Sequence, residues 1–104
     1  MEAPEHTVLL VADDLRILGL ARAVLAGKDR VLVAYDAQNA IRLLDRGRAR
    51  IHSVGIRAGV GGEEEVRAWS LRRGAKPWTF RGEVSDQSVI LEPPDSGADW
   101  DSAA

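Results

Sequence analysis

Asp13 and Asp14 stand side by side after an apolar run at residues 7–12 and ahead of an amphipathic stretch, so the first chemistry to weigh is cation binding. Mg²⁺ takes about six oxygen ligands in octahedral geometry, and two acids make a weak site. Acids placed before a helix also cap its first turn and complement its dipole, which is their commoner role. A second candidate is GIRAGVGG, residues 55–62, because backbone N–H groups ahead of a helix cradle phosphate. It lacks the GK[ST] ending of a P-loop, it is not G-x-G-x-x-G, and Glu63, Glu64 and Glu65 follow it with charge that repels an anion. His6 and His52 have no ligand or triad spacing around them. No catalytic residue, metal site or cofactor is nominated.

These residues need elements to hold them. Residues 7–12 are apolar without alternation, as in a central strand covered on both faces. Ile17, Leu18, Ala21, Val24 and Leu25 recur at helical spacing, and Gly27 stands where a C-cap falls. Residues 30–35 read as a second strand. Asp36 then caps a helix carrying Ala37, Ala40, Ile41 and Leu44 on one face and ending at Gly47. A third strand is expected at 51–56 and a third helix from Glu63 to about Arg73, with Gly74 as its stop. Short fourth and fifth strands are expected at 78–80 and 88–92, with too few residues between them for a helix. The tail from Pro93 through Ala104 carries two prolines and three acids, and is expected to be mobile. The domain is therefore 1–94, with a tail at 95–104.

The wording of residues 8–47, VLLVADDLRIL followed by RVLVAYDAQNAIRLLDRG, resembles the receiver domain of two-component response regulators. At the level of element order the resemblance extends over residues 7–94. It implies an α/β fold of the CheY-like, flavodoxin-like kind, an open parallel sheet of about five strands, here with three clear helices and the fourth and fifth absent or reduced. Receivers hold Mg²⁺ and a phosphoryl group at the carboxyl ends of the strands. Matched to that pattern, Ala12 and Asp13 take the two adjacent acid positions, and Asp14 the commonly acidic one after them. Gly55 takes the phosphate-accepting aspartate's place, and Val54, Ile56 and Arg57 around it are not carboxylates either. The switch hydroxyl falls near Arg81 or Gly82, the aromatic switch residue at Val89, and the lysine before a proline at Glu92. The resemblance thus implies a degenerate receiver with a vestigial acidic pocket.

A formal net charge of -2 gives no electrostatic reason to expect nucleic acid. The arginines at 42, 46, 48, 50, 72 and 73, with Lys76, are balanced by 16 acids. Without cysteine there are no disulfides, and no run nears the roughly 20 apolar residues of a membrane span, so the cytoplasm is expected. Trp69 and Trp78 read as packing residues, while Trp100, in the acidic tail, is a candidate docking anchor against the commoner outcome of a dangling or self-docked tail.

The function expected is a phosphorylation-independent protein-interaction module in bacterial signalling or regulation, a setting the resemblance implies, with a regulator, a kinase or a second copy as partner. The alternative is a small flavodoxin-like domain binding a nucleotide or other anion through Gly59, Gly61 and Gly62. With two helices missing from opposite faces, both faces of the sheet are expected to lose cover and the chain to be a homo-oligomer. Leu18, Leu20 and Leu25 on the first helix, and Val89, Ile90 and Leu91 on the fifth strand, are the expected interaction surface.

Overall fold

Strand and helix alternate through three units before the pattern changes. The structure, a computed structural model, describes residues 6–25, 29–47, 50–83 and 88–91. The elements are β1 (Thr7–Val11), α1 (Leu15–Leu25), β2 (Arg30–Ala34), α2 (Ala37–Arg46), β3 (Ser53–Arg57), α3 (Glu63–Arg72), β4 (Lys76–Glu83) and β5 (Ser88–Ile90). Asp36 caps α2 as its sequence position suggests, its Oδ1 accepting from the Asn39 amide at 2.8 Å. Glu63, Glu64 and Glu65 occupy the first turn of α3, where the helix dipole favours them. Gly27, Glu92 and the tail with Trp100 lie outside the described residues.

The sheet order is β2-β1-β3-β4-β5. β1 pairs in parallel with β2 and β3, and β3 with β4, an order consistent with a flavodoxin-like arrangement. β5 departs from it by running antiparallel to β4, with Gly82 opposite Val89. This corrects the expectation of a wholly parallel sheet, and its cause is chain length. Four residues separate Glu83 from Ser88, whereas a parallel return needs a crossover of about a dozen. Only a hairpin is that short.

Strand alternation divides the core in two. Leu9, Val11, Ala34, Val54 and Ile56 meet Ala40 and Leu44 of α2 and Val66 of α3 on one side. Val8, Leu10, Ala12, Trp78 and Phe80 meet Ile17, Leu18, Ala21 and Leu25 of α1 on the other. Leu18 and Leu25 are only 3% and 6% exposed, so they belong to the core and not to a partner-facing surface. The spacing that marks α1 as amphipathic is the spacing that turns those leucines onto the sheet, and Leu20 beside them is half-buried.

The α1 face is also better covered than two missing helices would suggest. β4 runs on to Glu83 and curls until Gly82 lies against α1, where a Cβ would come within 2.7 Å of the Ile17 methyl Cγ2. Val89 and Leu91 pack against the same core, while Ile90, pointing the other way, is 60% exposed. The β4–β5 hairpin and two large rings, Trp78 and Phe80, thus do the covering. Each such ring, fully buried, contributes roughly 1.5–3 kcal/mol.

Candidate functional site

At the carboxyl ends of β1 and β3, Arg57 links Asp13 to the Gly82 carbonyl of β4, with Asp14 next to Asp13 in the chain. Asp14 caps α1: its Oδ1 accepts from the amides of Arg16 at 2.8 Å and Ile17 at 3.2 Å. Asp13, whose side chain is 61% exposed, accepts from Arg57 Nη1 at 3.2 Å. The second guanidinium nitrogen, Nη2, donates to the carbonyl of Gly82 at 2.9 Å. Arg57 is the last residue of β3, so its side chain spans from the end of β1 to the far part of β4. An arginine keeps its charge at any working pH. A metal ion approaching Asp13 therefore meets a cation already bound to that carboxylate. The pair is too exposed to be worth more than about 1 kcal/mol, and its consequence is occupancy of the pocket more than stability.

Gly55 is not at the end of its strand. It sits at the middle of β3, directly opposite Trp78 on β4, and a Cβ there would lie 2.6 Å from Trp78 Cζ2. The indole lies across the strand at that point, and its N–H donates to the hydroxyl of buried Ser53 at 3.2 Å. Glycine is present because a ring needs the space, and the residue at the strand's end is Arg57. Gly82 likewise falls within β4 and not after it. Thr79, the nearest hydroxyl, accepts from Arg67, which also donates to Glu63 Oε2 at 3.0 Å. Val89 is half-buried against the α1-side core.

Sequence reasoning missed Arg57. The signal was a basic residue closing one strand and acids closing its parallel neighbour, since register places such residues side by side. It also missed His52, at the opposite end of the sheet. There the His52 amide donates to Thr7 O at 2.8 Å, its Nδ1 accepts from the Thr7 amide at 3.0 Å, and its carbonyl accepts from the Lys76 amide at 3.0 Å. The His6 ring lies 5.0 Å away. Burial foremost, then the charges of His6 and Arg50, lowers the His52 pKa below 6.5, with Asp29 opposing.

Trp78 is a core residue, 7% exposed. Trp69 is half-buried on α3, with the Arg72 guanidinium 4.8 Å from its ring centroid. In the glycine-rich segment, Gly59 and Gly62 adopt left-handed backbone, φ 89° and 80°. Among the described residues no group of three or more His, Cys, Asp or Glu side chains is placed to hold a metal ion. None of the described helices is long and apolar enough to cross a membrane. No family model matches the chain, and no curated protein or solved structure matches it.

Proposed function

We propose that this chain is a receiver-like interaction module that works without phosphorylation, binding a regulator, a kinase or a second copy of itself in a bacterial regulatory setting. The observation that carries the reading is Arg57, which places a guanidinium between Asp13 and the Gly82 carbonyl where a phosphorylatable pocket would need an aspartate and a metal ion. A carboxylate nucleophile is missing from β3 along its whole length. With no carboxylate nucleophile on β3 and Arg57 holding Asp13, the strand ends offer a fixed polar surface in place of a switch.

The test is exposure to acetyl phosphate, and separately to beryllofluoride, with millimolar Mg²⁺. Intact mass and the amide spectrum are expected to stay unchanged. A base-labile phosphate found on any aspartate by mass spectrometry would overturn the proposal.

A further inference from the structure

Among the described residues β2 is an edge of the sheet, hydrogen-bonded to β1 alone. The Arg30 amide donates to His6 O and the Ala34 carbonyl accepts from the Ala12 amide, so residues 30, 32 and 34 turn their backbone groups toward β1. By alternation, Val31, Val33 and Tyr35 turn theirs outward. Proteins blunt such edges with proline, charged side chains or bulges, and in β2 only its first residue, Arg30, is charged, while Val31-Leu32-Val33-Ala34 carry none of these devices. Beside the strand runs a shallow groove on each face. One lies against α1 and is lined by Leu15, Gly19 and Arg22, and the other lies against α2 and is lined by Asn39 and Leu43. Two large residues at this edge are exposed, Leu15 at 67% and Tyr35 at 52%. Gly19 sits inside α1, where glycine weakens a helix, and a Cβ there would meet nothing within 4 Å. Nothing among the described residues therefore requires a glycine at that position.

We propose that two copies of this chain pair antiparallel through β2, about a two-fold axis at Val33, to form one continuous sheet. The occupant follows from self-complementarity. In that register the outward groups of Val33 face those of its own copy, and those of Val31 face Tyr35 of the other copy. Leu32 then stands opposite Ala34, and Tyr35 covers Val31, an aromatic on a β-branched residue, a favourable cross-strand pair. Arg30 stands opposite Asp36, so two opposite-charge pairs close the ends of the new ladder. Sliding by two residues to place Leu32 on itself sets Arg30 against Ala34 and Asp29 against Tyr35, losing both charge pairs. The two-fold also brings the α1 helices alongside each other on one face, where Gly19 permits close approach and Leu15 is covered. An isologous contact of this kind closes at two copies and leaves no β2 edge for a third.

The pairing rests on the module reading above, yet the two fail separately. A monomer that takes no phosphate sinks the pairing alone, and a phosphorylated aspartate sinks the module whatever its oligomeric state. Sedimentation equilibrium of the full chain, from 1 to several hundred micromolar, is expected to approach twice 11.3 kDa. Val33→Lys is expected to leave a monomer with an unchanged circular dichroism spectrum. Arg30→Glu, which faces Asp36 with like charge, should weaken the dimer by about threefold to tenfold. If Val33→Lys disturbs folding, Val33→Cys decides the question. The chain has no cysteine of its own, and hydrogen-bonded antiparallel partners stand about 5.5 Å apart at Cα, within disulfide reach. Rapid oxidation of Val33→Cys to a covalent dimer supports the register. A mass of 11.3 kDa at the highest concentration, or a dimer that tolerates Val33→Lys and cross-links faster from Leu32→Cys, overturns it.

Discussion

Gly55 shows how a residue can look like a loss and be a requirement. Compared with a receiver it is a missing aspartate; in the fold it is the gap that lets the Trp78 indole cross β3 and reach the Ser53 hydroxyl. Restoring a side chain there collides with the ring, because the nearest indole carbon would be 2.6 Å from the new Cβ. Gly55→Ala is therefore expected to destabilise the chain by about 1–3 kcal/mol, the usual range for overpacking a filled core. Urea denaturation measures this, and the cost should shrink when Trp78→Leu is made in the same chain, since contacting residues are not additive. Equal costs in both backgrounds would show that the ring is not what excludes the side chain. None of this was legible in the sequence, where Gly55 and Trp78 stand 23 positions apart and only the register of β3 on β4 makes them neighbours. The caps were legible, because Asp14 and Asp36 act within their own turn of chain.

At the scale of the element, what could be read depended on how local the cause was. The first two helices and their strands follow from apolar spacing and capping residues close in sequence. The β4–β5 hairpin does not, since β5 has only three residues and β4 runs eight residues and bends, although four intervening residues already rule out a parallel return. The burial of Leu18 and Leu25 was misjudged because spacing marks which residues share a face and says nothing of whether that face meets the sheet or a partner. The N-terminal end of the sheet holds a pH dependence in the same tertiary category. His52 Nδ1 can accept the Thr7 amide only while unprotonated, and its folded pKa lies below the ordinary 6.5. The unfolded chain then binds the proton first, so the His52 contribution to stability is complete above about pH 6.5 and is lost as pH falls through the folded value. Denaturant midpoints measured from pH 7.5 to 5.5 are expected to decline for the native chain. They should decline less for His52→Asn, which keeps an acceptor without the titration; parallel declines would assign the effect elsewhere.

The whole molecule is asymmetric in its edges, and that asymmetry sets where stability is lowest. β1 is buried along its length between two neighbours, and β3 is buried at four of its five positions. At the other edge, β5 has three residues, and Ile90 is exposed. Amide exchange follows such gradients, because core strands open only when the molecule unfolds and edge groups open locally. Leu10 and Ile56 are therefore expected to exchange at the global rate, and Val89 much faster. Val31 and Val33 distinguish a free edge from a paired one. Their amides point away from β1, so in an isolated chain they exchange almost as in a peptide, while in the two-fold pair Val33 donates to its own copy and Val31 to Tyr35 of the other. Residue-resolved exchange at 2 and at 500 micromolar should show protection at these two amides rising with concentration. In the Val33→Lys chain, the Val31 amide should stay unprotected at both. Rapid exchange of Val31 and Val33 in the native chain at the higher concentration would leave β2 an open edge and place any self-association elsewhere on the surface.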